Sequence, residues 1–205
     1  MKQINNFGIL VSITWSSNKW QDSAEDIDLE HSDFQYIKEN WNAYESINFG
    51  HKKYPAEEDG TYIAYTPMFN RLPALDTSKN VKVVFFKSND WHTKENYIVG
   101  LYAFPEIESS FVRKAEHPIY KDYQWGNLKS QVDNIVLFKN FLSISNERLT
   151  VDQFLPYTKK LGQQGFNYLH SDNVLRILDR VKDINPKQKD FLLVQSRLKK
   201  LILFD

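Results

Sequence analysis

The chain contains no cysteine. This absence excludes disulfide scaffolds, thiol nucleophiles and cysteine-ligated zinc sites. The sequence also lacks any run of about 18 apolar residues, the length expected of a membrane-spanning helix. Its first residues, Met1–Asn6, do not begin the apolar core of a signal peptide. We therefore expect a soluble cytoplasmic protein that has no contact with membranes.

The usual sequence motifs of catalysis are missing as well. There is no glycine-rich phosphate-binding loop and no Gly-x-Ser-x-Gly motif. The histidines do not recur at the His-x-x-x-His spacing of a zinc site, and no strand-borne aspartate is paired with a Glu-x-Lys element. We expect no catalytic residue, no metal and no cofactor. A nuclease with a metal site assembled from dispersed acids is the least favoured alternative.

Charge is balanced overall but unevenly distributed along the 205 residues. The 26 Lys and Arg equal the 26 Asp and Glu. Between Asp22 and Gly60, eleven acids stand against three lysines, whereas Thr150–Asp205 has ten basic and six acidic residues. We expect the first segment to face away from phosphate and the second to contain any polyanion-binding surface, although an ordinary solvated helical surface explains the second equally well.

The first two thirds of the chain have the patterns of a β-rich domain. Apolar runs rich in β-branched and aromatic residues predict strands at 7–13, 61–66, 81–87, 97–104 and 133–144. A Ser-x-x-Gln capping box followed by apolar residues at helical spacing predicts one early helix over Ser32–Ser46. Trp125–Ser130 is interpreted as a loop. Gly100, inside a strand, indicates a bulge or the close approach of another backbone.

From Thr150 the apolar period becomes helical. Helices are predicted over Val151–Leu161, Asp172–Val181 and Gln188–Leu203, with Ser171 as an N-cap. The predicted buried stripe of the last helix consists of Leu192, Leu193, Ser196, Leu198 and Leu201. The fold class is therefore α+β, with five or six strands and one early helix followed by a C-terminal helical extension. The predicted domains are 1–148 and 149–205.

The most informative stretch is Ile13–Trp20, in which an apolar strand runs into Trp15, Ser16, Asn18 and Trp20. Indole rings can stack on a flat ring while small polar groups bond to its edge, which is how proteins hold an unpaired base. Core packing of both tryptophans is the plain alternative. Trp91 lies in a polar Ser-Asn-Asp turn that core packing explains poorly, so it is a second candidate for the lining of a site.

Several of these motifs together resemble EVE-type, PUA-like domains, relatives of the YTH readers of methylated RNA. The matching elements are Thr14-Trp15 to Trp20, Asn48-Phe49-Gly50, the strand Tyr97–Tyr102, and Trp125–Leu137. The resemblance covers about residues 7–145, and its closest comparison is with domains fused to modification-dependent restriction proteins. Phe49 stands where the family often has tryptophan, and Asp59-Gly60 reverses a common Gly-Asp.

The resemblance implies a small curved β-barrel that accepts one flipped nucleotide in an aromatic cage. By motif position it places Trp15, Ser16 and Asn18 in the pocket wall, with Trp20 nearby and Phe49 at a family aromatic position. Trp91 is added to the predicted pocket residues because it lies in a polar turn. Contacts to the nucleic-acid backbone are expected from Arg71, Lys129, Lys159, Lys160 and Gln163.

These expectations define a non-catalytic reader of a methylated or bulkier base in DNA. It would be the specificity module of a modification-dependent restriction system, with a nuclease or NTPase domain or subunit as partner. An RNA-binding module with the same cage and a protein-interaction domain without nucleic-acid binding remain alternatives. Full burial of Trp15, Trp20 and Trp91 together would favour the interaction domain.

Overall fold

The computed structural model describes residue 4 and residues 6–32, 34–70, 80–144 and 165–204. These residues form eight strands and four α-helices in an α+β arrangement, as predicted. The strands are β1 (Gly8–Ile13), β2 (Thr61–Ala64), β3 (Val83–Asn89), β4 (Asn96–Ala103), β5 (Glu106–Val112), β6 (Trp125–Gln131), β7 (Ile135–Ser143) and β8 (Phe166–Leu169). The helices are α1 (Asp26–Glu30), α2 (Gln35–Asn40), α3 (Ser171–Ile184) and α4 (Lys189–Phe204).

The larger sheet has the strand order β7-β4-β3-β1-β8. β1 runs parallel to β3 and antiparallel to β8, while β3, β4 and β7 pair antiparallel in sequence. Both faces of this sheet are covered, which explains why its central strands are continuous apolar runs. In β1, Leu10 belongs to one buried cluster and its neighbours Ile9 and Val11 to the other.

Helices α3 and α4 cover one face of the larger sheet, and the smaller sheet covers the other. On the helical side, Leu10 and Phe85 share a cluster with Val174 and Phe191. The smaller sheet has the order β2-β6-β5, and its Tyr62 and Leu128 join the second cluster, on the opposite face. The described strands thus form two open sheets in a layered structure, and the barrel is not confirmed.

Several elements differ from the sequence prediction. The supposed loop at Trp125–Ser130 is strand β6, and β8 is a further strand beyond the predicted last one. The early helix is shorter than predicted, because α2 ends at Asn40 and the next residue, Trp41, has a left-handed backbone with φ of 52°. Gly100 has both predicted features. The β4–β7 register shifts beside it, and a Cβ there would lie 2.6 Å from the Val136 carbonyl oxygen.

The last two predicted helices are confirmed as α3 and α4. His170, rather than Ser171, is the N-cap of α3. The buried face of α4 consists of Phe191, Val194, Leu198 and Ile202, so of the predicted stripe only Leu198 is fully buried, and Leu193 is 67 % exposed. The predicted helix at 151–161 and the predicted domain boundary after residue 148 lie outside the described residues. No described helix has the length and apolar character needed to cross a membrane.

Candidate functional site

The segment after β1 folds into a tight loop held by its own polar groups. The Ser16 hydroxyl accepts a hydrogen bond from the Trp20 backbone N–H at 3.2 Å and donates to Asn18 Oδ1 at 2.7 Å. Lys19 and Trp20 adopt left-handed backbone conformations, with φ of 61° and 56°. The Trp20 indole N–H donates to the Thr14 carbonyl oxygen at 2.8 Å. Non-glycine residues with positive φ are uncommon, and consecutive ones are a strained feature often found at functional sites.

The two tryptophans of this loop have different environments. Trp20 is completely buried and packs edge-on against Phe49, with ring centroids 6.4 Å apart. Phe49 is buried as well and contacts Phe86 and Tyr102. Trp15 is only half-buried, with its ring 5.6 Å from that of Trp20. The structure therefore places Trp20 and Phe49 in the core. The Trp20 ring packs against Trp15, and the Phe49 ring packs against Trp20.

A concave pocket of about 240 Å³ opens beside Trp15. Drug-sized ligands occupy pockets of roughly 300–1,000 Å³, so this one suits a smaller ligand such as a single ring system. Four parts of the chain form it: the end of β1, the α1–α2 region, the β3–β4 turn and the residue before β8. The lining residues are Ser12, Ile13, Thr14, Trp15, Asp28, His31, Ser32, Phe34, Lys87, Asn89, Trp91, Asn96 and Gly165.

Asp28 joins three of these parts. Its carboxylate accepts hydrogen bonds from the Ser17 backbone N–H and hydroxyl, both at 2.7 Å, and from the Trp91 indole N–H at 3.1 Å. The residue is 2 % exposed. Because its donors come from the loop after β1 and from the β3–β4 turn, the carboxylate fixes the Trp91 ring relative to Trp15.

Trp91 lines the pocket, as its polar turn predicted, and it is half-buried. The imidazole of His31 stacks on its indole with centroids 4.3 Å apart and an angle of 16° between the planes. His31 is itself exposed. The pocket thus has a pair of parallel rings on one side and Trp15 on another.

The polar wall at Thr14 is connected to a buried acid. The Thr14 backbone N–H donates to Glu45 Oε1 at 3.1 Å, and burial raises the pKa of the Glu45 carboxyl. The Thr14 hydroxyl lies beside the same carboxyl without reaching hydrogen-bond geometry, and it is buried without another partner. The buried Glu45 carboxyl therefore holds the Thr14 backbone in its position in the pocket wall.

Ser16 and Asn18 contribute to the shape of the loop. Ser16 is 3 % exposed, and both of its described hydrogen bonds stay inside the loop. The Asn18 side-chain amide donates to the Ser23 carbonyl oxygen. Neither residue lines the pocket. The structure brings only Trp15 and Trp91 of the predicted pocket residues together at the cavity.

Of the predicted backbone contacts, only Lys129 lies among the described residues, and it does not line the pocket. Lys129 lies in β6, forms a 3.1 Å ion pair with Glu106 and sits 5.1 Å from the centre of the Phe111 ring. It lines a separate open groove on the smaller sheet, together with several acids. The other predicted contacts, Arg71, Lys159, Lys160 and Gln163, lie outside the described residues.

Asp28, His31 and Phe34 were not predicted to line the pocket, and they belong to the acidic segment that was expected to face away from phosphate. Their role depends on contacts with residues distant in sequence, so no local pattern could have revealed it. Within the described ranges, no three His, Asp or Glu side chains are grouped closely enough to hold a metal ion. No protein-family model matches the chain, and comparisons with curated proteins and with solved structures gave no significant match.

Proposed function

We propose that this protein is a non-catalytic reader that holds one modified base of a nucleic acid in the pocket between Trp15 and Trp91. The observation that carries the proposal is the pocket itself, which has a size suited to one ring system and two half-buried indoles in its wall. Aromatic side chains bury the added apolar surface of a methyl group and stack on the base. Full burial of all three tryptophans, which would favour an interaction domain, is not observed, since only Trp20 is fully buried.

Polar groups around the rings can read the edge of a base. Asn89 and Asn96 lie together on β3 and β4, with 3.4 Å between Asn89 Nδ2 and Asn96 Oδ1. Asn carries both donors and acceptors, the groups used to recognise base edges. Because a base inside a duplex cannot reach such a pocket, the nucleotide would be flipped out or already unpaired.

From the resemblance to EVE-type domains, we propose that the layered sheets are a variant of the curved PUA-like barrel. Helices α3 and α4 would be an addition that packs against the larger sheet. In this view the chain is the specificity module of a modification-dependent restriction system, and a nuclease or NTPase domain or subunit supplies the catalysis.

The first test compares binding of modified and plain oligonucleotides of the same sequence. Trp15→Ala should abolish the preference for the modified oligonucleotide, because it removes one aromatic wall. Trp125→Ala is the matched control, since Trp125 is 49 % exposed and does not line the pocket. Thermal denaturation would establish that both variants fold. Equal binding of modified and plain oligonucleotides by the wild type would contradict the proposal.

The choice between DNA and RNA needs a separate competition experiment. DNA and RNA oligonucleotides that carry the same modified base differ at the 2′-hydroxyl, which only RNA offers. We expect DNA to compete at least as well as RNA. A strong preference for RNA would assign the pocket to an RNA-binding module instead.

A further inference from the structure

We infer that the base read by this pocket is positively charged: a base methylated on a ring nitrogen, such as 7-methylguanine, 1-methyladenine or 3-methylcytosine. Methylation at these atoms places a positive charge on the ring, whereas 5-methylcytosine and 6-methyladenine are neutral. The inference rests on the proposed function and specifies its ligand. The positive charge of the ligand is inferred from the acid and the rings that line the pocket, and not from the volume of the pocket.

The charge of Asp28 is not balanced by a described cation. This carboxylate is 2 % exposed and lines the pocket, but its three hydrogen-bond donors are all neutral groups. Among the described residues no Lys, Arg or His forms an ion pair with it. Buried charges in proteins are normally paired, because an isolated ion is costly to remove from water. A cationic ligand would supply the missing opposite charge.

Several aromatic rings surround the same cavity. Trp15, Trp91, Phe34 and His31 all line it. The faces of aromatic rings attract cations, tryptophan most strongly, and cages of such rings recognise methylated cationic groups. A neutral methylated base would gain only stacking and apolar burial from these rings, whereas a cationic base gains the electrostatic attraction as well.

The surface beside the pocket is also negatively charged. Helix α1 provides Asp28 and exposes Asp26 and Glu30 to solvent, so the field on this side is negative. Among the described residues that line the pocket, Lys87 is the one lysine, and it already takes part in another interaction. Negative potential repels phosphate but attracts a cation. Selectivity would therefore come from the base, with a small contribution from the backbone.

The test uses two isomeric modifications in otherwise identical single-stranded DNA oligonucleotides. In their neutral forms 1-methyladenine and 6-methyladenine are isomers, but near neutral pH 1-methyladenine holds an additional proton and is cationic, whereas 6-methyladenine is neutral. We expect the wild-type protein to bind the 1-methyladenine oligonucleotide at least tenfold more tightly than the 6-methyladenine one. Asp28→Asn should reduce this ratio to near one, because it removes the charge. Glu108→Gln, which removes an exposed acid of β5 that does not line the pocket, should leave the ratio unchanged.

The possible outcomes separate the inference from the proposed function. A preference for 6-methyladenine or 5-methylcytosine over 1-methyladenine would overturn the cationic ligand and leave the modified-base reader intact. Equal binding of every modified and plain oligonucleotide would overturn both. Binding of a trimethyllysine peptide in place of any oligonucleotide would overturn the nucleic-acid ligand and assign the cage to a protein partner. The wild-type comparison decides the inference even if Asp28→Asn does not fold.

Discussion

His51 shows how burial of one residue makes stability depend on pH. Its Nδ1 atom is buried without a hydrogen-bond partner, and its ring lies 6.1 Å from that of Tyr62. Removal from water lowers the pKa of His51 to about 4, with a further lowering by Lys52 and an opposing effect of Asp190. The native state therefore resists protonation of this imidazole at pH values where the unfolded chain accepts it.

We predict that His51 progressively lowers the free energy of unfolding as the pH falls from about 6.5 towards 4. In this range the imidazole is protonated more readily in the unfolded chain than in the native protein, so at this residue acid favours unfolding. His51 should account for about 2 kcal/mol of the loss by pH 4.5, which is less than its full pKa shift gives because the side chain is partly exposed. Urea denaturation of the wild type and His51→Gln at pH 7 and 4.5 would measure it. An equal loss in both proteins would contradict the prediction.

Glu45 should have the opposite effect. Burial raises the pKa of its carboxyl, so the native state favours the protonated form, and stability falls as the pH rises above the unfolded-state pKa. Glu45→Gln keeps an oxygen to accept the hydrogen bond from the Thr14 N–H and removes the ionisation. We predict that this variant is more stable than the wild type at pH 8 and similar to it at pH 4, as measured by urea denaturation. A variant less stable at pH 8 would show that the charged carboxylate is needed.

The candidate site could be predicted from sequence only where one residue had a distinctive local setting. Trp15 and Trp91 follow strands in polar segments, and both line the pocket. The burial of Trp20 could not be predicted, because it depends on rings from remote elements, including Phe141 at 6.0 Å. The role of Asp28 could not be predicted for the same reason, since the fold brings its hydrogen-bond donors, Ser17 and Trp91, to it.

Elements were predictable where burial on both faces gave long apolar runs, as in β1, β3, β4 and β7. Strand β6 was mistaken for a loop because three of its four buried positions, Gly126, Asn127 and Ser130, are not occupied by large apolar residues. Gly126 lies so close to β2 that a Cβ would be 2.4 Å from the Ala64 carbonyl oxygen. The buried Asn127 bonds to the Thr66 backbone in both directions, at 2.9 and 2.8 Å. Backbone proximity and a satisfied amide replace the hydrophobic pattern that marks an ordinary strand.

The packing of α4 on the larger sheet can be tested at one buried and one exposed residue of the helix. Phe191 is fully buried, with its ring 5.6 Å from that of Phe138 in β7, whereas Leu193 is 67 % exposed. We predict that Phe191→Ala lowers the free energy of unfolding by about 3–5 kcal/mol. The control Leu193→Ala should change it by less than about 0.5 kcal/mol. Equal effects in chemical denaturation would show that α4 packs through a different face.

The C-terminal segment, residues 165–204, completes the larger sheet. β8 pairs with β1, and α3 and α4 cover Leu10 and Phe85. We predict that a chain ending at residue 164 loses cooperative unfolding and exposes an apolar sheet face that promotes aggregation. Circular dichroism during urea denaturation and light scattering would detect both effects. Removal of residues 203–205 is the control and should leave the transition intact, and a cooperative transition in the longer truncation would contradict the prediction.

The position of β1 also has a consequence for how the protein folds. This strand, near the N-terminus, pairs with β3 on one side and with β8, near the opposite end of the sequence, on the other. Contacts between residues so distant in sequence make folding slow, because long loops must close before the contacts form. During synthesis the early strands emerge from the ribosome well before β8 and α3, so one edge of β1 and one face of the sheet remain open. The protein should therefore depend on chaperones while it is being made, and less so once β8, α3 and α4 have been synthesised.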